Sequence, residues 1–261
     1  MKNCFEIKNI TQTSADIYIY GAICLEKETN WWTGEVIEND TDIYLMDFKK
    51  KLDEIGNVEL INLFVNSPGG DVFVTSTIIS MLRRMKDKGT KIEAYIDALA
   101  ASAASFLIMV ADEIHVYKNS MLMMHKPMAY GYGNSMDLQQ VIDELEEVEN
   151  STMIPMYMSK AKEGVTEEEI KELVAKESWL GASKIEQYFN VTVEETEKSI
   201  AASIDNKIFS NYKHVPKELV KKVETQKNIK ENDSKEAVIR NRLNLVKASL
   251  FIKKNQEKEG I

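Results

Sequence analysis

The sequence predicts an α/β fold around a parallel sheet, on three observations. Strand-like and helix-like runs alternate between residues 58 and 117, the strand runs are continuously apolar, and the first of them ends in a glycine turn. "NVELINLFVNSPGG" is a Val/Leu/Ile/Phe-rich strand closed by Pro68-Gly69-Gly70. "DVFVTSTIISMLRRMKDKG" places Val72, Val74, Ile78, Ile79, Leu82 and Met85 on one helical face, with Gly89 near the C-cap. "KIEAYIDAL", "SAASFLIMVA" and "EIHVY" then read as strand, helix and strand, with right-handed crossovers expected between the parallel strands. Ser102 falls at a strand-to-helix turn.

The flanks follow the same logic. Residues 5–24 alternate as two strands, "FEIKNI" and "ADIYIYGAI", and a polar loop with Trp31 and Trp32 leads to a helix through Ile43, Leu45, Phe48, Leu52 and Ile55. The tryptophan pair reads either as a contact surface or as a loop folded onto the core. After the extended stretch "SMLMMHKPMAYGYGN", Ser135 is placed to cap a long amphipathic helix through Leu138, Val141, Ile142, Leu145 and Val148, which Pro155 should kink or end. A Thr166-to-Glu169 capping box opens the shorter helices that follow.

Length and composition bound the functional classes. The chain has 261 residues, 44% hydrophobic and 29% charged, with 11 Gly and 4 Pro, a globular composition able to bury a core without disulfides. Cys4 and Cys24 are too few for a disulfide framework or a zinc site, which suggests a reducing, cytoplasmic setting. Lys2, Glu6 and Lys8 interrupt any leader-like run, and the apolar stretch Ala98 to Ala111, 14 residues long, is too short to span a bilayer, so no membrane association is expected. A formal net charge of −9 argues against nucleic-acid binding by the whole surface. The balance shifts at the end, where residues 213–261 carry 13 Lys and Arg against 7 Asp and Glu. Three regions are therefore expected: a body over 1–212, a polar linker over 213–233, and a basic amphipathic helix over 234–261 with Ile239, Leu243, Val246 and Leu250 in a stripe.

Several residues have the types and placement needed for acyl transfer. A serine hydroxyl needs a base to take its proton and N–H donors to hold the oxyanion. Ser102 sits where a helix N-terminus leaves unpaired N–H groups, that of Ala103 among them, and the Gly69-Gly70 turn lets a substrate approach the backbone closely. His125 stands at the end of an apolar strand on the same part of the sheet. His115, inside a strand, and His214, in the late polar region, read as structural or solvated. By residues alone, a histidine so placed is more often a satisfied core residue than a base. No P-loop motif, metal set or cofactor motif stands out, so cofactors are expected to be none.

The segments "NSPGGDV", "ALAASAASFL" and "MMHKP", in this order, resemble the Clp family of serine peptidases, the S14 family, over residues 15–195. That resemblance implies the ClpP/crotonase-like spiral of ββα units with a protruding handle helix, here followed by the C-terminal helical tail. It makes Ser102 the nucleophile, His125 the base, and Gly70 and Ala103 the oxyanion donors. Gly69 and the stretch Met128, Ala129, Tyr130 and Gly131 would bind a peptide as an added strand. It also implies a homo-oligomeric ring, with a second ring stacked through the handle.

The family's acid is an aspartate just before the segment matched by Trp179-Leu180-Gly181-Ala182. No aspartate lies there, and Glu177 is the first candidate, Glu172 the second. The Trp31-Trp32 loop and the tail "AVIRNRLNLVKASL" look more like Clp-type proteases of phages and prophages, commonly assigned to capsid maturation. A serine endopeptidase is therefore expected, acting on unfolded polypeptide delivered by an AAA+ unfoldase or on capsid proteins inside a procapsid. The alternatives are a ring-forming assembly subunit with a degraded triad, a crotonase-type acyl-CoA enzyme, and a serine–lysine peptidase that would use Lys126.

Overall fold

A computed structural model describes residues 5–29, 32–33, 35–37, 42–195 and 212–216. The chain divides into two compact units, Met1–His214 and Val215–Ile261. The expected tail helix and most of the expected linker lie outside the described residues, as does Trp31.

In chain order the first unit runs β1 (Phe5–Lys8), β2 (Ser14–Ile19), β3 (Ala22–Cys24), β4 (Glu28–Thr29), β5 (Val36–Ile37), β6 (Asp42–Tyr44), α1 (Leu45–Ile55), β7 (Leu60–Ser67) and α2 (Val72–Lys86). It continues with β8 (Lys91–Ala101), α3 (Ala103–Leu107), a 3-10 turn, β9 (Glu113–Tyr117), β10 (Met121–Met124) and α4 (Ser135–Val148). A π-helical turn (Glu149–Met153), α5 (Ile154–Met158), α6 (Glu167–Ala175), β11 (Ser178–Gly181), α7 (Ala182–Tyr188) and β12 (Thr192–Glu194) complete it.

Strands β2, β7, β8 and β10 lie side by side and parallel, and β1 and β11 close the two ends antiparallel, so the sheet is mixed rather than wholly parallel. The long β8 serves two neighbours on one side. Glu93 to Ile96 pair with β9, and Leu99 to Ala101 pair with β10. This division follows from its 11-residue length against the 5 and 4 residues of its neighbours. It brings the C-terminal end of β8 beside β10 alone.

One face of the sheet, through Ile17, Leu63 and Ile96, is fully buried with Phe48, Ile78, Leu82 and Phe106 of α1, α2 and α3. The opposite face carries a row of rings, Tyr18, Phe64, Tyr95 and His115, stacked at centroid distances of 4.8, 5.0 and 4.5 Å. His115 belongs to this row, and its Nδ1 lies 2.9 Å from Glu194 Oε1 on β12.

Several local expectations change in the fold. Ile43 belongs to a strand rather than to the following helix, because β6 pairs in parallel with β3 before α1 begins. Residues 5–24 hold three strands, not two. The cap of α4 is Asn134, not Ser135: the Asn134 side chain accepts from the Met136 and Asp137 amides while Asp137 answers the Asn134 N–H. Helix α2, by contrast, ends as expected, C-capped by Asp87 with Gly89 two residues on. Pro155 stands in the first turn of α5, after the π-helical turn has already interrupted the long helix. Among the described residues no helix is long and apolar enough to cross a membrane, and no cluster of His, Cys, Asp and Glu could hold a metal ion.

Candidate active site

The site is assembled by strand register. Ala101 and Met123 are parallel partners, so the two chains leave the same edge of the sheet together, one into Ser102 and the other into His125. The Ser102 N–H donates to the Met123 carbonyl at 2.9 Å and locks the turn to β10. On the other side of β10, Met124 pairs with Ser178 in antiparallel register, which sets Glu177 opposite His125.

Ser102 itself has φ 52° and ψ −126°, a backbone conformation that costs a non-glycine residue about 1–3 kcal/mol. The sharp turn lifts its side chain off the sheet edge as α3 begins. Its Oγ lies 2.7 Å from His125 Nε2. With Nε2 unprotonated, the serine O–H donates along this line.

Small residues make the turn possible. Gly69, at φ 92°, faces it so closely that a Cβ would sit 2.7 Å from the Ala103 nitrogen and 2.7 Å from the Ser102 Cβ. Gly70, at φ 151°, is paired with Ile23, and a side chain there would strike the Ile23 backbone. Ser67 braces the same loop: its Oγ donates to the Gly21 carbonyl at 2.6 Å and accepts the Gly69 N–H at 3.1 Å. Asp71 caps α2 through the Phe73 and Val74 amides, at 2.8 and 2.9 Å. The second serine of the alanine-rich run, Ser105, is buried against Tyr157, hydroxyl to hydroxyl at 2.6 Å.

A cleft of about 300 Å³ opens beside the pair, lined by Gly70, Ser102, Ala103, His125, Met128 and Ala129, with part of α4 as its far wall. Gly69, Tyr130 and Gly131, expected in the peptide groove, do not line it. The Tyr130 side chain is fully exposed, and Gly131 packs toward Leu138 of α4. Residues 125–132 hold no regular element.

The charges around His125 oppose one another. Burial pulls its pKa below the ordinary imidazole value, against the Glu177 charge and a hydrogen bond with the Lys126 backbone. Glu177, at φ 51°, is largely buried, unlike Glu172, which pairs with Lys176 on the surface at 2.7 Å. The two Glu177 oxygens accept the backbone N–H groups of Lys213 and His214, at 3.0 and 2.7 Å. Burial raises the Glu177 pKa, but these two amides, Trp179 and the His214 charge outweigh it and hold the carboxyl below the usual range. Lys126 turns away to pair with the buried Glu149 at 3.0 Å.

Residues 212–214 are what sequence reading missed. Tyr212 stands edge-on to His125, with centroids 5.3 Å apart, and to Trp179 at 6.0 Å, and its hydroxyl donates to the Pro68 carbonyl at 2.8 Å. A lone aromatic between polar residues gives no periodic signal, and its partners are more than thirty residues away in sequence.

A strained serine at a strand-to-helix turn, hydrogen bonded to a histidine from the adjacent parallel strand beside a glycine-built backbone turn, is an arrangement suited to acyl-transfer chemistry. The sequence profile of the Clp protease family matches residues 25–191, and the chain belongs to that family, one of serine peptidases. No curated protein matches it.

Proposed function

We propose that the chain is a serine endopeptidase of the Clp type, with Ser102 as nucleophile and His125 as general base. The observation that carries this reading is the 2.7 Å contact between Ser102 Oγ and His125 Nε2 at the mouth of the cleft. As the serine oxygen attacks a peptide carbonyl, its proton passes to Nε2 and the carbonyl oxygen takes up negative charge. The N–H groups of Gly70 and Ala103 stabilise that oxyanion. The imidazolium then protonates the leaving amine, the C–N bond breaks, and an acyl-enzyme remains. Water completes the cycle, losing a proton to His125 as it attacks, and Ser102 leaves with that proton.

Glu177 acts on His125 through its charge in this scheme, as a buried carboxylate in the strand register opposite the imidazole. The acyl side of a polypeptide occupies the cleft along Gly70, Met128 and Ala129, with Gly69 behind them in the turn, and its onward path runs over Tyr130 and Gly131. A ring assembly follows from the family. Helix α4 supports it as the protruding handle, since none of its residues is buried and Met136, Leu138 and Ile142 are exposed. The substrate would be polypeptide delivered by a separate AAA+ unfoldase or capsid protein within a procapsid, the latter in keeping with the phage-like layout.

A fluorophosphonate probe tests the reading by intact mass. One adduct per chain on the wild type, lost in Ser102→Ala and in His125→Ala, is expected. No adduct on the assembled wild type overturns it and leaves a ring-forming subunit without peptidase activity.

A further inference from the structure

Residues 212–214 lie beyond the family match, yet they reach three separate parts of the site. The Glu177 oxygens hold the Lys213 and His214 amides, which fixes the backbone of this segment against the start of β11. Tyr212 is thereby directed inward. Its ring makes T-shaped contacts with His125 and Trp179, while its hydroxyl bonds the carbonyl of Pro68, the residue before the two glycines. Burial pushes the pKa of this hydroxyl up to about 12, against a smaller lowering by Ser102, so it stays neutral and donates to Pro68. Tyr212 does not line the 300 Å³ cleft.

We infer that Tyr212 is a positioning residue for the Ser102–His125 pair, a brace that joins the imidazole to the oxyanion turn and is clamped in place by Glu177. This rests on the peptidase reading for its consequence and on the packing itself for its geometry. An imidazole that must take and return a proton is useful only in one rotamer. One His125 nitrogen is held by Ser102, and the Lys126 backbone hydrogen bonds the ring as well. The Tyr212 ring packs against the imidazole and limits its rotation, while the Glu177 carboxylate, occupied by two amides, acts through charge. The bond to Pro68 couples the same brace to the turn that carries Gly69 and Gly70. Glu177 therefore has two tasks, supplying charge and holding the segment.

The test measures two things on the full-length assembled protein and its Tyr212→Phe and Tyr212→Ala variants. The first is the rate of fluorophosphonate labelling of Ser102 against pH. The second is the titration of His125 followed by NMR of labelled histidines, with His115 as an internal control of folding. The groups acting on His125 are Ser102, Tyr212, Glu177 with His214 beside it, and the Lys126 backbone, the Lys126 side chain being turned away to Glu149.

Removing the ring admits water to the imidazole and relieves burial, so the His125 midpoint moves up in Tyr212→Ala and stays in place in Tyr212→Phe. Labelling at the high-pH plateau falls roughly tenfold or more in Tyr212→Ala, and Tyr212→Phe recovers most of it. An unmoved midpoint in Tyr212→Ala overturns the brace. Faster labelling in Tyr212→Ala overturns it too, and makes the segment a cover over the site. A wild type that takes no probe overturns the peptidase reading alone, because the His125 titration still decides whether the ring packs on the imidazole.

Discussion

Gly69 presses its Cα against the Ser102 turn, leaving a Cβ only 2.7 Å from the Ser102 Cβ and from the Ala103 nitrogen. The loop that ends β7 and the turn that ends β8 are therefore one unit, and neither can move without the other. Gly69→Ala should cut labelling of Ser102 by on the order of a hundredfold, since the methyl must displace backbone beside the nucleophile. Gly164→Ala is the control. Gly164 also has positive φ, at 90°, but nothing lies within 4 Å of its Cβ position, so this change costs about 1–2 kcal/mol of stability and leaves labelling intact. Thermal midpoints and probe rates on both variants separate strain from clash.

The pH dependence follows from His125. Burial depresses its pKa, so the unprotonated base persists to lower pH than for an exposed histidine. The probe rate of the wild type should rise with pH through a midpoint below about 6.5, the ordinary histidine value. A midpoint above that value would contradict the buried site.

Glu177→Gln removes the charge that raises the His125 pKa, so the labelling midpoint should fall further. The neutral side chain has one acceptor oxygen in place of two, and amide exchange at Lys213 and His214 should quicken. In the wild type, the depressed Glu177 pKa makes this clamp a source of stability that is present above the ordinary glutamate value and lost as pH falls through the folded value. Exchange at the two amides measured through that acid range checks the sign.

Ser105→Ala strips the buried Tyr157 hydroxyl of its 2.6 Å partner. A loss of about 1–3 kcal/mol in denaturant unfolding is expected, with the probe adduct still formed, since the modified residue is Ser102.

Lys126→Met leaves Glu149 buried without its cation. Because the lysine is half exposed, the cost should be about 1–2 kcal/mol, below the range for a fully buried pair. Retained labelling in this variant would also rule out Lys126 as the base, the role a serine–lysine mechanism would require.

Much of this molecule was legible in one dimension. The run "NLFVNSPGG" is read correctly as a strand ending in a tight turn because local composition and backbone freedom decide both. The alternation from β7 to β9 follows from periodicity, and the Thr166 capping box is a four-residue motif that forms as expected. Errors arose where a neighbour overrides local preference. Ile43 joins a strand because β3 is beside it, and Asn134 takes the cap from Ser135 because Asp137 can return its hydrogen bond.

The sequence by itself determined the α/β alternation, the small-residue corridor around Ser102 and the presence of a histidine at the end of a strand. Those depend on residues within a few positions of one another. Only the tertiary structure decided that β8 parts from β9 to lie against β10, so that Ser102 meets His125, and that β11 returns antiparallel to set Glu177 across from the imidazole. It alone brought Tyr212 back to Pro68, 144 residues away. Strand register and chain return are settled by the packing of the whole sheet, and side-chain periodicity along one segment carries no information about which distant segment will lie beside it.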